Sequence, residues 1–198
     1  MEPQFPWQRE MQQLGVEYLS QNRYESNFPR RCAAEKTLYY RRNRREFEQL
    51  VHRYGSELQK ELHYPPLEVR FLGNELGRGL FAGEEIKAGA FLGEYTGLVR
   101  PVSPELPLPQ GGYTSDYSWG FPQYGLFSPH LEIDAREAGG PLRFANHSFS
   151  PSAQVEHLAV EGLWRVIFVA AEPIPKGWEI TVNYGDAYWI GGKRELVL

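Results

Sequence analysis

Two polar segments in the second half of the chain carry side chains suited to chemistry. Arg143-Phe144-Ala145-Asn146-His147 places an amide beside an imidazole, and residues 179–186 read as a β-strand that ends in Tyr184 and a glycine turn. On their own, Asn and His side chains most often satisfy nearby backbone groups, and a strand tyrosine most often packs in a core. Neither segment alone therefore predicts a function.

Two glycine-containing segments precede them. Gly77-Arg78-Gly79-Leu80 has two glycines around one residue, which lets a backbone pass close to a ligand and present its N–H and C=O groups. It lacks the third glycine of a dinucleotide-binding fingerprint. Gly93-Glu94-Tyr95-Thr96-Gly97 lies in an apolar run and, alone, is typical of a strand with a bulge glycine.

Together and in this order, the four segments resemble the SET-domain family of protein lysine methyltransferases. The similarity runs from about Pro66 to Trp189 and includes Ile133-Asp134-Ala135-Arg136 and a Tyr-Gly-Asp-x-Tyr-Trp ending at residues 184–189. The joint match is highly specific, because its occurrence by chance with this spacing is remote.

The resemblance implies a mainly β fold of the α+β class, with several small curved sheets and a helical N-terminal region before them. In this family the Arg-Phe-x-Asn-His segment and the final Tyr-Gly strand pack into a C-terminal pseudoknot. Such a pseudoknot is an exception to the usual avoidance of threading in proteins.

The resemblance also implies S-adenosylmethionine as the cofactor and a target lysine that enters a channel from the opposite face. The expected cofactor-binding residues are Gly77, Arg78, Gly79, Leu80, Arg143, Asn146, His147, Tyr184, Tyr188 and Trp189. The expected walls of the channel are Tyr117, Trp119, Val155, Val182 and Tyr184. Among these, Tyr184 and Tyr117 are the expected catalytic residues.

The residues are consistent with the chemistry of that family. Methyl transfer from a sulfonium to an amine is an in-line displacement, so alignment of the reactants supplies much of the catalysis. The nucleophile is neutral lysine, and a narrow aromatic channel disfavours the charged ammonium through desolvation and like-charge repulsion. The Tyr184 hydroxyl can orient the amine and contact the methyl group. We expect no metal, because the histidines show no ligand spacing and Cys32 is the single cysteine.

Two valines bear on the number of methyl groups added. Relatives use Tyr or Phe at the positions of Val155 and Val182 to limit product methylation, since a hydroxyl there restricts the amine through a bound water. The valines leave more room, which favours di- or trimethylation.

The positions of proline and glycine residues predict where the regions of the chain begin and end. Six apolar residues share one face of a helical pattern that begins near residue 31: Phe47, Leu50, Val51, Tyr54, Leu58 and Leu62. Pro65 and Pro66 end this pattern. We therefore expect a helical region over residues 1–65, a SET domain over 66–190 and a short tail over 191–198. The expected strands are Glu68–Leu72, Gly79–Ala82, Ala90–Val99, Tyr117–Phe121, Leu131–Asp134, Gln154–His157, Trp164–Ala170 and Glu179–Asn183.

The charge distribution narrows the expected partners. The formal net charge of −4 argues against direct nucleic-acid binding. Residues 67–198 carry 16 acidic against 10 basic side chains, so a basic protein substrate such as a histone tail complements them. No segment predicts a membrane span or a signal peptide, so we expect an intracellular protein, nuclear or cytoplasmic.

Two alternatives stay open from the sequence. Nine residues follow Trp189, so we expect either the N-terminal region or a second subunit, in a homodimer, to complete the lysine channel. The competing function is a catalytically inactive SET-fold binding module. Such a module would act through protein or nucleic-acid contacts, for example through the arginines between Arg41 and Arg45.

Overall fold

The computed structural model describes residues 5–25, 33–60, 64–102, 116–120, 122, 130–185 and 188. Over these ranges the chain forms five small β-sheets, and the helices are few and short. The expected mainly β class is therefore confirmed.

Three α-helices lie in these ranges: α1 (Pro6–Gln13), α2 (Leu38–Arg42) and α3 (Arg44–Tyr54). Single 3₁₀ turns lie at Ala34–Lys36, Glu57–Gln59 and Pro141–Phe144. The helical pattern expected from residue 31 to 62 is broken at Asn43, whose Nδ2 donates to the Tyr39 carbonyl at 3.0 Å. The Asn43 N–H also donates to the Tyr39 and Tyr40 carbonyls, so both the backbone and the side chain of Asn43 cap the end of α2. None of these helices is long and apolar enough to cross a membrane.

The strands in the described ranges are β1 (Glu17–Tyr18), β2 (Arg23–Tyr24), β3 (Leu67–Gly73), β4 (Gly77–Ala82), β5 (Phe91–Glu94), β6 (Leu98–Pro101), β7 (Ser118–Gly120), β8 (Leu131–Asp134), β9 (Ala138–Gly139), β10 (Asn146–His147), β11 (Ala153–Val160), β12 (Leu163–Ala170) and β13 (Thr181–Val182). Strands overlap all eight expected positions, and β1, β2, β9 and β10 were not expected from the sequence. The expected single strand Ala90–Val99 is instead divided into β5 and β6.

Hydrogen bonds to the N-terminal segment explain this division. Thr96 Oγ1 donates to the Leu19 carbonyl at 2.8 Å, and Gly97 N donates to Asn22 Oδ1 at 2.9 Å. Asn22 Nδ2 in turn donates to the buried Glu94 carboxylate at 3.1 Å. Because these groups bond to the N-terminal segment, the strand ladder stops between β5 and β6.

The sheets combine two hairpins, β3–β4 and β11–β12, with pairings between distant segments. β11 and β12 form an antiparallel hairpin whose turn residues, Glu161 and Gly162, both have positive φ, as a type I′ turn requires. β12 also pairs with β5, β3 pairs with β4, and β2, β6, β8 and β7 form one sheet in that order. The parallel pairs β1–β9, β2–β6 and β10–β13 each join segments far apart in sequence.

Residues 5–25 pack into the same core as the strands that follow Pro65. Trp7 and Met11 of α1 are each 1% exposed and belong to the main hydrophobic cluster, which also contains side chains from β4, β5, β8 and β12. β1 and β2 add strands to sheets built from later parts of the chain. The boundary expected at Pro65 and Pro66 therefore separates two stretches with a shared core, and the domain division stays a prediction.

We expect Trp7→Ala to lower the free energy of unfolding by about 3–5 kcal/mol, because it empties a large buried site. Leu14→Ala is the matched control on the same segment, since Leu14 is 42% exposed. This control should change stability by no more than about 0.5 kcal/mol. Urea unfolding measures both, and equal effects of the two substitutions would contradict the shared core.

Candidate active site

The parallel pair β10–β13 brings together two of the segments that stand out in the sequence. Asn146 pairs with Thr181 and His147 with Val182, and Ser148 N donates to the Val182 carbonyl at 3.0 Å. The amide and imidazole therefore lie next to the strand that ends in the tyrosine.

Tyr184 is held through both its backbone and its hydroxyl. Its N–H donates to His147 Nδ1 at 3.1 Å, and its hydroxyl donates to the Ala145 carbonyl at 2.8 Å. The ring lies edge-on to Trp119 and Tyr188, with centroids 6.3 and 4.8 Å away. With its proton directed at a carbonyl, the hydroxyl oxygen can still accept a hydrogen bond from a ligand.

Tyr184 lies in a pocket of which half the lining residues are aromatic. The rings of Tyr95, Trp119 and Phe168 pack together with centroids 5.7 to 6.0 Å apart. The pocket is lined by Tyr95, Asp116, Ser118, Trp119, Leu142, Arg143, Ala145, Phe168, Tyr184 and Tyr188. The aromatic part of the wall raises the free-energy cost of an unpaired charge inside the pocket, while Asp116 and Arg143 add charged groups to the lining.

Arg143 supports Tyr117. Its guanidinium lies 4.1 Å from the Tyr117 ring centroid, while Nε donates to the Ala135 carbonyl at 2.8 Å and Nη2 to the Arg136 carbonyl at 3.3 Å. Burial lowers the pKa of Arg143. The Tyr117 carbonyl accepts a hydrogen bond from the Tyr95 hydroxyl at 2.7 Å. Tyr117 is thus fixed beside the pocket. Its chain neighbours Asp116 and Ser118 line the pocket, whereas Tyr117 itself does not.

The glycine-containing segment of β4 lies next to Asn146. Asn146 Nδ2 donates to the Arg78 carbonyl at 3.1 Å and to Glu179 Oε1 at 2.8 Å. A Cβ on Gly79 would lie 2.6 Å from that same carboxylate oxygen, so a side chain there does not fit. The Leu80 side chain is fully buried, which leaves only its backbone for contact with a ligand. The structure therefore brings the Gly77–Leu80 segment next to the segment that contains Asn146.

The surroundings of His147 favour the neutral form of its imidazole. Burial lowers the pKa of its imidazole, and the neutral ring has a nitrogen that can accept the Tyr184 N–H. Its ring lies edge-on to Phe149 at 4.6 Å, and Phe149 itself is largely exposed. The imidazole therefore acts here as a hydrogen-bond acceptor that positions the tyrosine strand.

Among the expected site residues, Trp119, Arg143, Tyr184 and Tyr188 line this pocket, whereas the expected channel residues Tyr117, Val155 and Val182 are not among its lining residues. Val182 is completely buried in the main core. Val155 pairs with Phe168 across the β11–β12 hairpin and lines a neighbouring cavity with Asn183. Trp189 lies outside the described residues. The roles assigned to these and to all the other expected site residues stay predictions.

Six pocket residues had no role in the site expected from the sequence: Tyr95, Asp116, Ser118, Leu142, Ala145 and Phe168. Tyr95 lies in the Gly93–Gly97 segment. The sequence motif included this segment, but it assigned no role in the site to the tyrosine. Asp116 accepts a hydrogen bond from the Tyr188 hydroxyl at 3.2 Å, a contact across more than 70 residues. Phe168 belongs to a buried strand, and no local pattern distinguishes it from a core residue.

The described ranges contain no group of three or more His, Cys, Asp or Glu side chains that could hold a metal ion. Cys32 and His63 lie outside those ranges. The expectation that the protein needs no metal stays a prediction.

A protein-family model for the SET domain matches residues 77–185, more than half of the chain. The chain is 34% identical over 113 residues to the variant-silencing SET domain-containing protein of Plasmodium falciparum, covering 54% of this chain and 4% of that protein. It is 26% identical over 162 residues to histone-lysine N-methyltransferase 2D of Homo sapiens, covering 81% and 3%. The chain thus spans only a few per cent of the length of these relatives.

Solved structures show the same fold. A complex of ATXR5 with histone H3.1 mono-methylated on R26 aligns with a TM-score of 0.63 at 22% identity, covering 90% of this chain and 85% of that one. A complex of KRYPTONITE with mCHH DNA, an H3(1-15) peptide and SAH aligns with a TM-score of 0.50 at 30% identity, covering 64% and 24%. Family model, fold and motif order agree, and the chain belongs to the SET-domain family.

Proposed function

We propose that the protein transfers methyl groups from S-adenosylmethionine to lysine side chains of a histone or another basic protein. The observation that carries the proposal is the position of Tyr184, whose hydroxyl lies inside an aromatic pocket while its backbone bonds to His147. Family membership supports it, because histone-lysine methyltransferases are among the relatives.

The residues present fit the cofactor. Backbone groups of residues 77–80 would hold it, and the space around Gly77 is open, since nothing lies within 4 Å of the position that its Cβ would take. Asn146 and His147 lie directly beside this segment and would add polar contacts. When bound, the cofactor supplies an electrophilic methyl group on a sulfonium cation. The KRYPTONITE complex, which contains SAH, supports this choice of cofactor.

The pocket residues would prepare the lysine for reaction. Tyr95, Trp119 and Phe168 exclude water, so desolvation lowers the pKa of an entering lysine and favours its neutral amine. The Tyr184 oxygen accepts an amine N–H and thereby directs the nitrogen lone pair along the pocket. Fixed alignment of this kind is what an in-line displacement needs most.

A histone tail is the substrate class that the relatives favour. ATXR5 was solved with histone H3 peptides, and several relatives are named histone-lysine methyltransferases. The acid surplus of residues 67–198 complements a basic tail. A histone substrate places the activity in the nucleus.

We expect Tyr184→Phe to lower kcat by about 10²-fold, because the amine loses the oxygen that aligns it. Transfer of labelled methyl groups from S-adenosylmethionine to histone H3 measures the effect. Tyr40→Phe is the matched control, since Tyr40 packs on Phe47 and Trp164 in a separate cluster and keeps full activity. Unchanged activity in Tyr184→Phe would contradict the assigned role.

Calorimetry with S-adenosylhomocysteine separates the enzyme from the competing binding module. The wild-type protein should bind this product in a one-to-one complex. Absence of binding at millimolar ligand would favour a catalytically inactive module that acts through a partner.

Product multiplicity tests the valine prediction. We expect wild-type protein to give di- and trimethylated lysine, measured by mass spectrometry of the modified peptide. Val155→Tyr should shift the products toward monomethylation. Val155 lies across from the pocket residue Phe168, and a tyrosine ring, which is larger than the valine side chain, narrows the space for the methylated amine. Monomethylated product alone from the wild-type protein would refute the prediction.

Stability should fall as the pH drops below about 6.5, the ordinary pKa of histidine. Burial lowers the pKa of both His147 and His157, so the unfolded chain binds protons more readily in this range. Urea unfolding at pH 7.5, 6.5 and 5.5 measures this loss. His157→Gln should reduce the dependence, whereas a substitution of the exposed His52 should leave it unchanged. Stability that rises on acidification over this range would contradict the assignment.

A further inference from the structure

The side chain of Arg78, the residue between the two glycines of β4, is bonded to the N-terminal helix. Its Nε donates to Glu10 Oε2 of α1 at 2.8 Å, and the two side chains are only 25% and 28% exposed. Partial burial strengthens such a pair, because less water screens the charges. A segment expected to hold the cofactor is therefore tied to a helix 68 residues away in sequence.

Helix α1 is a rigid attachment point for this contact. Trp7 and Met11 lie on either side of Glu10 in sequence and are each 1% exposed in the main core. At the start of the helix, Phe5 N donates to Gln8 Oε1 at 3.0 Å and fixes the first turn. Glu10 therefore cannot follow Arg78 if the glycine segment moves.

The glycine segment itself has few side chains that can hold it. Gly77 has a φ of +70°, and neither Gly77 nor Gly79 can contribute a side-chain contact. From the opposite side, Asn146 Nδ2 donates to the Arg78 carbonyl at 3.1 Å. The Arg78 unit is thus held by three restraints: its pairing with Phe71 in the β3–β4 ladder, the bond from Asn146 to its carbonyl, and the ion pair between its side chain and Glu10.

We propose that Glu10 is a positioning residue for the cofactor, and that α1 belongs to the cofactor site although it lies outside the region matched by the SET model. Glu10 acts through Arg78, because it fixes the segment whose backbone groups would meet the ligand. Without this ion pair the Arg78 unit keeps its strand pairing but loses the restraint on its side chain, and cofactor binding must then supply more of the free energy that orders this unit. The inference rests on the proposed function, since it assumes that residues 77–80 bind S-adenosylmethionine.

Calorimetry with S-adenosylhomocysteine on the full chain tests this proposal. Glu10→Gln keeps the side-chain size and removes the charge, and it should weaken binding about fivefold. Glu17→Gln is the matched control, because it removes a carboxylate of the same N-terminal segment whose pair with Arg23 is 52–56% exposed. The control should change affinity by less than about twofold. Equal affinities of wild type and Glu10→Gln would overturn the proposal.

Charge reversal distinguishes positioning from general stability. Glu10→Arg and Arg78→Glu should each weaken cofactor binding, and the double variant Glu10→Arg/Arg78→Glu should recover at least half of that loss. In methyl-transfer assays Glu10→Gln should raise KM for the cofactor with kcat and peptide KM unchanged. A double variant as weak as the worse single variant would overturn the proposal.

The outcomes separate this inference from the proposed function. If wild-type protein does not bind S-adenosylhomocysteine, the proposed function fails and this inference fails with it. If wild type binds and Glu10→Gln binds equally well, the proposed function stands and only the role of Glu10 is wrong.

Discussion

The arrangement of the site depends on the parallel pairing of β10 with β13. This pairing sets Asn146 and His147 beside the strand that leads into Tyr184. A hydrogen bond from the Tyr184 N–H to His147 Nδ1 continues the contact between the two segments beyond the paired residues. That bond requires a neutral imidazole, which the burial of His147 favours. If β10 and β13 separated, the amide, the imidazole and the tyrosine would no longer share one site.

The rest of the fold keeps these two short strands in register. The β11–β12 hairpin fills most of the chain between them and shortens the loop that their pairing must close, which reduces its entropic cost. Phe168 of that hairpin also forms a wall of the aromatic pocket. On the other side, the N-terminal segment supports the core through Trp7 and Met11 and holds the glycine segment through Glu10.

Motif types and their order were enough to predict the family, the SET fold and the adjacency of the main site segments. β8 has the expected bounds, since its apolar pattern is local. The N-terminal strands could not be predicted, because two-residue strands have no periodicity and their hydrogen bonds go to partners more than 70 residues away. Tyr95 and Phe168 could not be identified as pocket residues, because core and pocket side chains have the same local sequence pattern. Only tertiary packing places these two side chains at the pocket.

A crystal structure of the full chain with S-adenosylhomocysteine tests the central claim most directly. We expect the ligand to contact the backbone of residues 77–80 and the side chain of Asn146, with its sulfur directed toward the pocket that contains Tyr184. A ligand bound away from the β10–β13 pair, or no bound ligand in crystals soaked at saturating concentration, would contradict the claim.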